Sequence, residues 1–180
     1  SGLRLYGCDG VNRAFEFDGT YVVPIATGTT PDTPKYIMAF QNHLFLAVQS
    51  SVFHSAPGDA YNYSTTAGAG EIATGDTVTG FAVQPGGQTA GAMAIGGRNH
   101  IFMLYGTSAA DWNFSVYAQD VGAMHYSMQQ MSQMYFLDDR GVSTLRTSQL
   151  YGNFDQATLT NNIQTFINNN QLLIYSNGAI

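Results

Sequence analysis

Short apolar runs punctuate this chain. "YIMAF" (36–40), "LFLAV" (44–48), "HIFMLY" (100–105), "MYFL" (134–137) and "LLIY" (172–175) are four to six residues long, with Gly, Asn, Asp or Ser close by. Runs this short, aromatic-rich and continuous rather than alternating, predict strands covered on both faces. "RAFEF" (13–17), "SVYAQ" (115–119) and "VSTLR" (142–146) alternate instead, as half-exposed strands do. Turn chemistry is dense between them: "CDGVN", "FDGT", "FQNHL", "PGD", "PGGQ", "GGRN", "DDRG" and "SNG". Helical spacing occurs once, in "TLTNNIQTFI" (158–167), where Leu159, Ile163, Phe166 and Ile167 share a face behind Thr160 as N-cap. The pattern predicts an all-β chain with at most one short helix near 158–167.

The chain also repeats itself. "VFHSAPGDAYNY" (52–63), "IFMLYGTSAADWNF" (101–114) and "VSTLRTSQLYGNF" (142–154) each run from a strand through a small-residue loop to Asn plus an aromatic. Those closing aromatics, Tyr63, Phe114 and Phe154, are 51 and then 40 residues apart. Spacings of roughly 40–50 residues with several strands each are those of propeller blades. A sandwich is the alternative, but most of its strands would carry polar residues on one face. The expected fold is therefore a propeller-like stack of about three to four antiparallel blades, partial or open. Residues 1–180 read as a single β domain cut from a longer chain. Its repeat units are approximately 1–35 (partial), 36–80, 81–123 and 124–165, with another starting at 170–180. Asp59, Tyr63, Asp111, Trp112, Phe114 and Phe154 are the expected structural anchors of the blades.

Composition narrows the functional classes. Only 10% of residues are charged, against about 25% in an average soluble domain. A surface so poor in charge suits a protein partly covered by partner subunits. The net charge is −6, and no two of the six Lys and Arg residues are closer than six positions. Specific nucleic-acid binding through a basic tract is disfavoured. One cysteine, Cys8, leaves neither an internal disulfide nor a cysteine-based zinc site. No apolar run approaches the roughly 18 residues of a membrane span. The opening "SGLRLYGCDG" lacks a signal-peptide pattern and reads as a scar or an internal cut.

Candidate chemistry is thin. His54, Ser55 and Asp59 fall within six residues, but a triad needs its histidine between the other two in space. "SAPGD" stands where "GTSAAD" and "TSQLYG" stand in the other units, so it reads as a connector, with Asp59 bonding the backbone two residues on. His43, His54, His100 and His125 show no zinc-ligand spacing, and read as solvated or hydrogen-bonded strand-end histidines. Asp138-Asp139 sits in a hairpin turn beside Arg140, not as two carboxylates flanking a cleft. No catalytic, cofactor or metal residues are assigned. The methionines of "MHYSMQQMSQM" (124–134) fit an adaptable contact surface or an ordinary strand face equally well.

Taken together, "GVNRAFEFDGT" (10–20), "HLFLAVQSSVFHSAPGDAYNY" (43–63), "GAGEIATGD" (68–76), "IFMLYGTSAADWNF" (101–114), "YFLDDRGV" (135–142) and "LYGNFDQATLT" (150–160) resemble the propeller-containing structural proteins of tailed bacteriophages. That group includes tail nozzle or tubular proteins and hub-like proteins that stabilise packaged DNA below the portal. The resemblance implies a non-enzymatic virion protein of the tail or neck, made in the host bacterial cytoplasm. It would use no cofactor, and would form a homo-oligomer with other virion proteins around the DNA path. Such proteins are usually much longer, which again points to truncation. The competing expectation is a glycan-binding propeller in which Tyr61, Tyr63, Trp112 and Tyr151 stack on sugars. Exposure discriminates the two, because stacking rings need an open pocket whereas anchors are buried.

Overall fold

A computed structural model of the chain describes residues 3–83, 92–131, 133–145, 159–163 and 165–170. The described residues form four antiparallel sheets. The first joins β1 (Leu5–Gly7), β2 (Phe15–Phe17) and β3 (Val22–Pro24). The second joins β4 (Tyr36–Phe40), β5 (His43–Val48), β6 (Ser51–His54) and β7 (Gly70–Ala73). The third contains β8 (Val78–Val83), β9 (Ala92–Gly97), β10 (His100–Tyr105) and β11 (Asn113–Gln119). The fourth contains β12 (Gln129–Gln130), β13 (Met134–Asp138) and β14 (Gly141–Thr144). In every sheet each strand lies beside its sequence neighbour. That meander is the construction of a propeller blade, so the all-β, propeller-like expectation holds.

The chain divides into two compact units, Ser1–Val78 with Thr107–Asp111, and Thr79–Gly106 with Trp112–Ile180. In the first, Ala14 and Ile25 beside β2 and β3 share a buried cluster with Leu44 and Leu46 of β5, and Tyr6, Cys8, Ile37, Ala60 and Tyr63 pack against it. In the second, β8–β11 and β13 bury Ala82, Ala94, Ile101, Met103, Ala118 and Phe136 together. Within each unit, then, two successive sheets shield each other's apolar surface.

Burial sorts the apolar runs. β5 and β9 are buried throughout, and β8 and β10 nearly so. "YIMAF" is less covered, because β4 is the outer strand of its sheet, and "MYFL" alternates. "LLIY" lies outside the described residues. The alternation of "RAFEF" has the opposite phase to the one its aromatics suggest: Ala14 and Glu16 are buried, while Phe15 and Phe17 are half-buried. Two-residue hairpin turns form where the sequence places them. Gln41 and Asn42 (φ 46° and 63°) link β4 to β5, and Asp139-Arg140 links β13 to β14. Met124, Met128 and Met134 are buried and Met131 is exposed, so three of the four methionines in this segment belong to the core.

The helical segment is 3-10 over Asn161–Ile163 and α-helical over 165–170. Of its expected face, Ile167 is buried but Leu159, Ile163 and Phe166 are exposed. Thr160, the expected N-cap, is engaged by β14. Its Oγ1 accepts from the Val142 N–H, while the Leu159 N–H donates to the Val142 carbonyl, so the chain runs along β14 before the helical turn.

Candidate functional site

The loop after β6 is built from its own polar groups. The Ser55 N–H donates to the Leu44 carbonyl, and the Ser55 Oγ accepts from the Leu44 N–H at 3.0 Å. A side-chain oxygen thus continues the ladder where the backbone leaves it. The same hydroxyl donates to the Ala56 carbonyl. Asp59 Oδ1 accepts from the Tyr61 N–H, and Asn62 Oδ1 from the Ser64 N–H. The Gly58 N–H reaches across to the Asn42 carbonyl at 2.7 Å, and Gly58 takes the φ of 76° that this approach requires.

His43 and His54 are both buried, not solvated, and their rings meet edge-on at 5.3 Å. Each Nδ1 faces one acceptor, the Ser55 carbonyl oxygen, at 2.6 and 3.2 Å. A carbonyl can only accept, so both rings carry hydrogen on Nδ1. The Ser55 hydroxyl is engaged by backbone, and the Asp59 carboxylate turns toward the Tyr61 N–H. His54, Ser55 and Asp59 therefore act separately, as parts of a turn. β7 packs so closely here that a Cβ on Gly70 would lie 2.8 Å from His54 Nε2.

Burial holds the His54 pKa below its ordinary value, and the nearby His43 lowers it further despite the hydrogen bond to Ser55. Below about pH 6.5 the unfolded chain therefore takes up a proton that the folded chain resists. The expected result is a denaturation midpoint that falls between about pH 7.5 and about pH 5.5, with His54→Gln flattening that step. A second loss follows at lower pH. Backbone and side-chain donors hold Asp9 and Asp111 at about 2, and backbone donors also lower Asp18. Their stabilisation is present above the ordinary carboxylate value and disappears as pH falls through the lowered ones. Asp138 opposes it, since burial raises its pKa against the Arg140 and Gly141 N–H donors. A midpoint unchanged down to about pH 5.5 would contradict the assignment for His54.

A cleft of about 310 Å³ opens beside this loop, lined by Tyr6, residues 39–44, Ser55 and residues 58–60. Next to Tyr6 lies a group that the sequence pattern concealed. Glu16 is buried and paired with Arg4. Burial alone would raise its pKa, but hydrogen bonds from Tyr6, Arg4 and Tyr61 outweigh it and hold the carboxyl below its ordinary value. Only the clustering of Arg4, Tyr6 and Glu16 near the start of the chain hinted at this. Burial also pushes the Cys8 thiol up to about 11, leaving it protonated at neutral pH.

The expected anchors occupy different settings. Tyr63 packs against the cluster of Ala14, Ile25, Leu44 and Leu46. Phe114 lies in β11 and stacks on Phe102 at 5.2 Å. Asp59 bonds forward to Tyr61, as its turn position predicts. Asp111 bonds backward, to the N–H and hydroxyl groups of Thr107 and Ser108. The Trp112 Nε1 is buried. Phe154 lies outside the described residues, as does Tyr151.

Tyr63 also carries a buried hydroxyl with no hydrogen-bond partner among the described residues, and burial raises its pKa. Tyr63→Phe should accordingly raise stability by about 1 kcal/mol, read from denaturant midpoints. A loss instead would mean that the hydroxyl is bonded.

Of the rings expected to stack on sugar, Tyr63 is packed into a core, whereas Tyr61 is exposed. Neither these two nor Trp112 lines the cleft. Asp138 and Asp139 sit at the β13–β14 turn, where Arg140 approaches Asp138 and Arg98 pairs with Asp139 at 3.2 Å. Among the described residues no group of three or more His, Cys, Asp or Glu is placed to hold a metal ion, and no helix is long and apolar enough to cross a membrane.

Fold and site together define an all-β protein of repeated meander sheets with a small cleft in its first unit. No protein-family model matches the chain, and no curated protein is significantly similar to it. Among solved structures, it is similar to the crystal structure of BBS1N in complex with ARL6DN, soaked with mercury. The identity is 12% and the TM-score 0.37, over 78% of this chain and 57% of that one.

Proposed function

We propose that this chain is a non-enzymatic structural subunit of a tailed-bacteriophage virion, placed in the tail or neck and assembling with further copies and other virion proteins around the DNA path. The observation that carries the reading is exposed apolar surface along a strand with no further neighbour on its outer side among the described residues. β3 is the outer strand of its sheet, and Tyr21, Val22 and Val23 along it are 70%, 64% and 41% exposed. Open edges of this kind are templates for pairing with another chain, and the edge is apolar where an isolated protein would carry charge. A second copy of the chain is the partner that a ring of identical subunits supplies.

The sequence resemblance supports the viral setting. The net charge of −6 without a basic tract suits a wall along which DNA slides without capture. The test is quantitative mass spectrometry of gradient-purified phage particles from the genome that encodes the chain. Several copies per particle are expected. Particles that lack the chain while infected cells contain it would refute the reading.

A further inference from the structure

We propose that the cleft beside the loop of residues 55–60 is a binding site for one pyranose ring of a neutral saccharide. The inference is independent of the assembly reading and uses none of the rings first expected to stack on sugar. At about 310 Å³, the cleft is at the lower end of the range for small-molecule sites, roughly 300–1,000 Å³. Its wall includes Tyr6, which β1 holds opposite Glu16 of β2.

The rim carries polar groups with unused capacity. Among the described residues nothing engages the side-chain amides of Gln41 and Asn42. Asp59 Oδ1 is occupied by the Tyr61 N–H, which orients the carboxylate and leaves Oδ2 to accept. Gly58 provides space for the Asn42 amide, since a Cβ there would lie 3.3 Å from Nδ2.

The chemistry of this set selects the ligand. Each amide both donates and accepts, as a sugar hydroxyl does, and the carboxylate accepts. No Lys or Arg lines the cleft, so an anionic ligand would meet Asp59 without compensation. A purely apolar ligand would leave amides and carboxylate unpaired. Gln41 and Asn42 also hold left-handed backbone conformations where glycine would be more comfortable.

The test is a titration followed by backbone and side-chain amide NMR, using methyl α-glucopyranoside, methyl β-galactopyranoside and N-acetylglucosamine as probes. Saturable shifts are expected for at least one probe at the Gln41 and Asn42 side-chain amides and at the Gly58 and Ala60 N–H groups. In Gln41→Gly/Asn42→Gly, which relieves the backbone while removing both amides, affinity should fall by about tenfold or more. Asp59→Ala, away from the strained turn, should weaken binding as well. Absence of saturable shifts with all three probes, shifts confined elsewhere, or affinity unchanged in the double glycine variant would each overturn the proposal.

Discussion

Phe45→Ala should lower stability by about 3–5 kcal/mol, the range for truncating a fully buried aromatic side chain. Phe45 is inaccessible to solvent in the middle of β5. Three rings surround it: Phe40 at 6.1 Å, His54 at 5.7 Å and His43 at 6.4 Å. Truncation loses the transfer free energy of the ring and leaves a void between strands tied together by the β4–β5–β6 ladder. The two imidazoles at its border are fixed by the Ser55 carbonyl, so they are poorly placed to collapse into it. Phe45→Leu, which refills most of the volume, should cost about half as much or less. Equilibrium urea unfolding gives both values, and a loss below about 1 kcal/mol for the alanine variant would show that the strand is not central to its unit.

Gly122→Ala should be at least as damaging, for a different reason. A Cβ at this position would lie 1.9 Å from the Arg98 carbonyl oxygen, 2.2 Å from its carbon and 2.7 Å from the Asn99 nitrogen. These are backbone atoms of the β9–β10 turn and cannot rotate away as a side-chain tip would. The segment carrying Gly122 is held on both sides, by the Ala123 N–H on the Gly97 carbonyl at 2.9 Å and the Met124 N–H on the Leu137 carbonyl at 2.8 Å. Relieving the overlap means breaking such bonds and shifting Ala123 within the second core, so a loss of more than about 3 kcal/mol is expected. Gly75→Ala is the control. Gly75 has φ 73° but open space around its Cα, so only the left-handed backbone penalty of about 1 kcal/mol applies. Equal losses at the two glycines would contradict the close approach.

Much of the fold was legible because turns and strands follow local rules. The Asn42 and Asp139 turns, the fully covered β5 and the Asp59 bond to the Tyr61 N–H each depend on a few adjacent residues. What escaped the sequence depends on distant partners. The phase of "RAFEF" looked apolar-in because two phenylalanines flank one glutamate. Only Arg4, Tyr6 and Tyr61, brought together by the β1–β2 pairing and the later loop, make Glu16 the buried residue. His43 and His54 are eleven positions apart, a separation that carries no motif. It takes the register of β5 on β6, with Phe45 opposite His54, to bring both rings to one carbonyl. The shared Asn-aromatic ending of the repeats was visible, but Tyr63 falls in a loop ahead of β7 whereas Phe114 falls inside β11. A similar phrase thus serves two different packings.

We propose that another copy of this chain covers the exposed apolar edge of β3. Sedimentation equilibrium of the purified protein, beside Val22→Lys/Val23→Lys, tests it directly. Both positions are exposed, so the substitution adds charge to the edge without removing core. One discrete multi-subunit species is expected for the natural sequence, and dissociation to folded monomer for the variant. A natural protein that is monomeric at every concentration, or an assembly indifferent to the two lysines, would contradict it.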